Sequence, residues 1–206
     1  VGTEASISLT ELRSISVYML GEAYKPGKYT MSGLSNISNA LFVSGGVSKE
    51  GSLRNIKVKR NNKVITNYDF YDFLLKGSTE SDTRLQDGDV ILIPFIENKI
   101  KMGGSFKRPY LYEFKEGETI EDAIRLAGGV TSEVTPQASL ELNSINTSLF
   151  KRELSYIPLN SKDLKRKLKN DDVINVSSKS EVQQETIILT GEIRNPGEYS
   201  ILPGDR

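Results

Sequence analysis

The chain has 206 residues, with 27 Lys and Arg against 27 Asp and Glu, no His and no Cys. That balance lacks the basic excess on which a nucleic-acid binder relies to neutralise phosphates. The missing residue types remove thiolate chemistry, disulfides, imidazole relays and most zinc sites, and no motif points to a cofactor or metal.

Val1 to Arg13 read as a lead-in, and Val1 to Thr10 lack the charged start and apolar core of a secretory leader. No apolar run approaches the ~18 residues that cross a bilayer, so no direct membrane insertion is expected of these residues. Ile15 to Leu20 alternate β-branched and polar side chains and then meet Gly21, which predicts a strand ending in a turn. Pro26-Gly27 is a turn dipeptide, and Lys28 to Met31 return as a second strand of a hairpin. Ile37, Ala40, Leu41 and Ser44 then fall on one helical stripe behind Asn36 as N-cap, and Gly45-Gly46 offer a left-handed stop. Those glycines follow a helix, whereas a phosphate-cradling loop precedes one.

Ile56 to Arg60, Asn61-Asn62 and Lys63 to Thr66 predict a second hairpin around an Asn-Asn turn. Tyr68 to Leu75 predict a short helix that buries Phe70, Tyr71, Phe73 and Leu74 on one side. After the turn at Asp87-Gly88 comes Val-Ile-Leu-Ile over 90–93, a run without alternation that predicts a central strand buried on both faces.

The same order then begins again. Gly21-Glu-Ala-Tyr-Lys-Pro-Gly-Lys-Tyr29 recurs as Gly104-Ser-Phe-Lys-Arg-Pro-Tyr-Leu-Tyr112, a shift of 83 residues. That shift also lays Ser44-Gly-Gly-Val47 on Ala127-Gly-Gly-Val130 and Gly88-Asp89-Val-Ile91 on Asp171-Asp-Val-Ile174. In the second copy Ile120, Ala123, Ile124 and Ala127 form the helical stripe, Thr119 and Asp122 have capping-box spacing, and Gly128-Gly129 end the helix. Tyr110 after Pro109 replaces the turn glycine, so this turn must tolerate a side chain. Lys162 to Lys169 is the one basic run; Leu164 and Leu168 four apart predict a solvated helix face over a small apolar seam. A third copy opens with Gly191-Glu-Ile-Arg-Asn-Pro196-Gly197-Glu-Tyr199 and stops at Arg206, which predicts a piece of a longer protein.

A period of this length is a small domain rather than a solenoid unit. The expected class is α+β: tandem β-grasp domains, each a mixed sheet of four or five strands around one helix plus a short second helix. The expected bounds are 1–13 lead-in, 14–97 first domain, 98–182 second domain and 183–206 the first hairpin of a truncated third. That last hairpin, 186–190 with 198–202, is marginal alone and is expected to dock on the second copy or to pair with another chain.

The landmarks Gly21-Glu22, Pro26-Gly27, Tyr29, Gly45-Gly46 and Gly88-Asp89 resemble the SLBB (soluble ligand-binding β-grasp) family. Its pattern is a strand into Gly-Glu-Val-x-x-Pro-Gly-x-Tyr, a helix into Ala-Gly-Gly and a final Gly-Asp strand; the second copy departs at Ser105, Tyr110 and Asp171. Within the family, tandem copies are similar to the periplasmic part of Wza-like outer-membrane polysaccharide export proteins. The similarity is strongest over Gly51 to Ile56, Asp69 to Gly77, Asp82 to Ile91 and Arg108 to Glu113. The resemblance implies a periplasmic, homo-oligomeric, non-enzymatic subunit of a Gram-negative bacterium. Such a subunit lines or buttresses a conduit for capsular polysaccharide or exopolysaccharide and meets inner-membrane machinery. The export signature domain that precedes the repeats in that group is absent from this sequence.

Three functions compete on that basis. As an export module, the chain would use its hairpin tips, with Tyr24, Lys25, Arg108, Tyr110 and Arg194, on glycan hydroxyls or neighbouring subunits. As a soluble small-ligand- or glycan-binding β-grasp module, it would need a pocket lined by aromatic groups such as Tyr68, Phe70, Tyr71 and Phe73, whose spacing favours core. As a glycosidase, it would need two carboxylates across a cleft. The pairs Asp87/Asp89 and Asp171/Asp172 recur where turns are made, and no catalytic residue is expected.

Overall fold

In a computed structural model the described residues are 13–135, 137–146, 151–177, 185–189 and 197–201, the last two spans by backbone alone. They form two compact units, one of 1–99 with 113–116 and one of 100–112 with 117–206.

Unit 1 opens with β1 (Ser14–Gly21) and β2 (Gly27–Ser32), paired antiparallel from Ser14 opposite Ser32 to Met19 opposite Gly27. Ile15, Val17 and Met19 alternate inward on β1. Helix α1 (Ile37–Val43) follows, with Ile37, Ala40 and Leu41 buried as the stripe requires. Asn36 begins it, its N–H donating to Asn39 Oδ1 at 2.9 Å. Strands β3 (Ile56–Arg60) and β4 (Lys63–Tyr68) turn at Asn61 and Asn62, both left-handed at φ 50° and 63°. That backbone makes an Asn-Asn hairpin turn, because asparagine tolerates the left-handed region. Helix α2 (Phe70–Lys76) is capped by Asp69, whose carboxylate accepts from Tyr71 N at 2.9 Å. Strand β5 (Val90–Ile93) then enters between β1 and β3, parallel to the first and antiparallel to the second. The sheet order is β2-β1-β5-β3-β4.

Unit 2 repeats this with β6 (Lys99–Gly104) from its second residue on, β7 (Leu111–Glu113) up to Tyr112, α3 (Ile120–Leu126), β8 (Ser139–Asn146), β9 (Lys151–Pro158) and β10 (Asp172–Val176). Its order is β7-β6-β10-β8-β9, with β10 parallel to β6 and antiparallel to β8. The two sheets are the same arrangement, a mixed five-stranded sheet with a parallel central pair and a helix between second and third strands. The fold is α+β, tandem and β-grasp-like. Strands β11 (Glu185–Leu189) and β12 (Gly197–Ile201) form a separate antiparallel pair.

Glycine placement explains why the turns repeat. Gly21 and Gly104 adopt φ +73° and +74°, and a Cβ at either would lie 2.1 Å from the carbonyl oxygen of Ile93 or Val176. Only a residue without a side chain lets the parallel strand pass that close. The second copy replaces Gly88 (φ 82°) by Asp171 at φ 61°, a residue type that tolerates the left-handed region.

Three local expectations need correction. Strand β5 is central, but Val90 and Leu92 are only half-buried while Ile91 and Ile93 are fully covered, so one face is less protected than expected. On α2, Phe70 and Tyr71 are buried but Leu74 is 50 % exposed, because the helix starts two residues later and its core-facing stripe shifts. The basic run forms only a 3-10 turn over Lys162–Lys165; Leu168 is buried from the following extended segment, whose N–H donates to Glu118 O at 2.9 Å.

Candidate functional site

The Pro-containing turns come first, because the repeat singles them out. In unit 1 the loop lies over the end of α1: Tyr24 N donates to Gly46 O at 3.0 Å, and Glu22 N donates to Ile93 O at 2.8 Å. In unit 2 Lys107 N donates to Gly129 O at 3.0 Å, and Ser105 N donates to Val176 O at 2.7 Å. The tyrosine that closes each motif ties the turn back on itself. Tyr29 Oη donates to Lys25 O and Tyr112 Oη to Arg108 O, both at 2.7 Å. Burial pushes the Tyr112 hydroxyl above the ordinary phenol range, which keeps it protonated as a donor.

The five expected contact residues then separate by role. Tyr24 is 62 % exposed with Lys25 Nζ 6.0 Å from its ring centroid, and Tyr110 is 67 % exposed. Arg108, although exposed, already donates through Nη2 to Leu126 O at 2.9 Å, one of the carbonyls left open at the end of α3. Gly45 leaves room for the Tyr24 ring, since a Cβ there would fall 2.8 Å from Tyr24 Cδ1. Gly191, Arg194 and Pro196 lie outside the described residues, and Gly197 begins β12.

The acidic pairs are occupied by structure. Asp89 is fully buried; Arg60 Nε and Nη2 each donate to its carboxylate at 2.8 Å, and Gln86 N donates at 2.8 Å. Asp87 Oδ1 accepts from Ser16 N at 2.8 Å. Asp172 accepts from Ser144 Oγ and from Lys169 N. These three carboxylates, engaged by turn and strand donors, are poorly placed to exchange protons with a substrate. Among the described residues no group of three His, Cys, Asp or Glu could hold a metal ion. The aromatic group is core: Tyr68 and Phe70 are buried, Phe73 packs against them, and Phe70 and Phe73 stack at 5.7 Å.

One cluster was not foreseen as a unit. Within unit 1 the Glu113 carboxylate accepts from Ser52 Oγ, Leu53 N at 2.7 Å and Arg54 N at 3.0 Å. Arg54 in turn donates through Nε to Asp69 at 3.3 Å and through Nη1 to Glu113 O at 3.2 Å, and its guanidinium lies 5.2 Å from the Tyr71 ring centroid. Lys115 Nζ adds a 2.6 Å contact to Asp69. Arg54, Asp69 and Glu113 are all nearly inaccessible, and such burial is tolerable because Arg54 and Asp69 are ion-paired and the Glu113 carboxylate accepts three hydrogen bonds. Periodicity could not assemble this cluster. Its one sequence signal is that Ser52, Arg54, Asp69 and Glu113 fall within three of the runs most similar to the export proteins.

Comparisons with known proteins agree with this architecture. Residues 99–140 match the SLBB domain family. Two Escherichia coli proteins, each named polysialic acid transport protein KpsD, are 34 % identical over 110 residues, which is 53 % of this chain and 20 % of the relative. The chain therefore spans about a fifth of the length of the relatives it matches. No helix among the described residues is long and apolar enough to cross a membrane.

Proposed function

We propose that the chain is a non-enzymatic module of a polysaccharide export protein. It works in the periplasm of a Gram-negative bacterium and contributes to subunit assembly and to the polysaccharide conduit. The supporting observation is that the repeated motif is consumed by architecture. Its glycines, carboxylates and tyrosine hydroxyls hold two identical sheets, and what it leaves exposed are the side chains at the turn tips. Similarity to proteins named for polysialic acid transport supports a polysaccharide as the cargo class. A homo-oligomer in the full-length protein and an inner-membrane machinery partner belong to the same reading.

Tyr24, Lys25 and Tyr110 are the tip residues with surface to offer, whereas Arg108 combines an exposed position with a structural bond. Replacing Lys25, Arg108 and Arg194 together by alanine is expected to impair secretion or change oligomer size while both units remain folded. Unchanged secretion and unchanged oligomer size would discard the assignment of the tips. A small-ligand pocket in the aromatic group is not favoured, because that group is packed core.

A further inference from the structure

A hollow of about 340 Å³ opens in unit 1, with Asn55, Asn67, Asn98, Phe95, Glu97 and Glu116 around its rim. All six belong to residues 1–99 and 113–116, and the buried Ser52–Arg54–Glu113 network forms the floor. The side-chain amides of the three asparagines make no hydrogen bond within the described residues, although Asn55 and Asn98 are half-buried. Phe95 presents a ring that is 57 % exposed. Glu97 and Glu116 are exposed and make no ion pair among the described residues, whereas Lys115 is held by Asp69.

We infer that this hollow is a subsite for a neutral sugar segment of a glycan. Its ligand class rests on the polysaccharide reading; its location and charge preference do not. A carboxamide carries an acceptor and two donors on one plane, which matches the adjacent hydroxyls of a pyranose. An exposed ring receives the apolar C–H face of the same sugar, so amide and aromatic groups together grip both of its chemical sides. The volume lies at the lower end for a ligand cleft, roughly 300–1,000 Å³, which suits a short glycan segment rather than a macromolecule. Charge decides among sugars. Two free carboxylates at the rim accept hydroxyl protons but repel a carboxylated sugar, and the neighbouring cations are already neutralised. The hollow therefore takes hexoses or N-acetylhexosamines and disfavours sialic or uronic acids.

The test is an NMR titration of the whole chain with maltohexaose, chitohexaose and an α2,8-linked sialic acid hexamer, following backbone and asparagine side-chain amides. A neutral oligosaccharide is expected to shift the Asn55, Asn67 and Asn98 amides saturably. Phe95→Ala and Asn98→Ala should each weaken this by at least about fivefold. The sialic acid hexamer should bind the hollow less tightly and recover in the Glu97→Gln/Glu116→Gln variant. Absence of shifts in the hollow with both neutral oligosaccharides, shifts indifferent to Phe95→Ala, or tighter binding of the sialic acid hexamer would each overturn the subsite. The amide spectrum itself reports whether each variant is folded. Failure here with a secretion defect in the tip variant would remove the subsite and leave the export reading standing.

Discussion

Units 1 and 2 reach one sheet with two sets of side chains, and what they share differs in kind from what they do not. The shared features are aimed at backbone. The turn loop bonds to the second glycine after the helix, the motif tyrosine bonds to the carbonyl four residues earlier, and the last-strand aspartate accepts from the N–H three residues before it. The differences lie in side-chain partners. Asp89 faces Arg60, whereas Asp172 faces Ser144. Among the described residues unit 1 buries Arg54, Asp69, Asp89 and Glu113, while unit 2 buries Asp172 as its one ionisable group besides Tyr112. Topology is thus held by contacts that any sequence with the right glycines can make, and side-chain chemistry is free to diverge around it.

The most severe test strikes the shared part. Gly21→Ala and Gly104→Ala each drive a Cβ to 2.1 Å from a backbone oxygen at a left-handed φ. Both should destabilise their own unit by ~3 kcal/mol or more, read as lost amide-exchange protection in that unit's sheet. A large effect in one unit and a small one in the other would break the equivalence of the two turns.

The next test strikes a difference. Asp89→Asn leaves Arg60 without its charge partner, and Arg60 is only 25 % exposed, so a cost of about 2–3 kcal/mol is expected. Asp172→Asn meets a hydroxyl and a backbone N–H instead, and about 1 kcal/mol is expected. Denaturant unfolding with exchange resolved by unit would measure both. Equal costs would show that Arg60 reorganises into solvent.

The same division explains what could be read from sequence. Glycine, proline and Asn-Asn positions announce backbone conformation directly, so β1 to β4 and α1 were legible, as were the central place of β5 in a mixed sheet and the recurrence after 83 residues. The 3-10 turn at Lys162–Lys165 was not, because leucines spaced by four fit both a helix and a turn followed by an extended segment. The cluster of Ser52, Arg54, Asp69 and Glu113 was invisible as a whole. Its members are far apart in sequence, and charged residues in loops announce no burial. The hollow rimmed by Asn55, Asn67 and Asn98 was hidden for the same reason, since no spacing in the sequence brings the three together.

A milder contrast concerns the motif tyrosines. Tyr112→Phe removes a partly buried hydrogen bond and should cost unit 2 about 1 kcal/mol. Tyr29→Phe removes one near solvent, where water replaces the donor, and should cost unit 1 no more than about half of that. Reversal of that order, in thermal unfolding of the two variants, would mean that the first tip is the more ordered.

The smallest expected effect has the clearest pH signature. The Tyr68 hydroxyl is buried in unit 1 with no hydrogen-bond partner among the described residues. Its pKa is pushed up first by burial and then by the Asp82, Asp69 and Asp72 carboxylates. A raised folded-state value means that the neutral phenol stabilises the fold fully below the unfolded tyrosine value near 10. That contribution is lost as pH climbs through the folded value. Tyr68→Phe removes both the unpaired hydroxyl and the ionisation. It should be neutral or stabilising by up to ~1 kcal/mol at pH 7, and should flatten the loss of unit 1 stability above pH 10. Unfolding followed from pH 7 to 11 decides it: a variant less stable at pH 7 would show that the hydroxyl has a partner, and an unchanged alkaline slope would assign that slope to other groups.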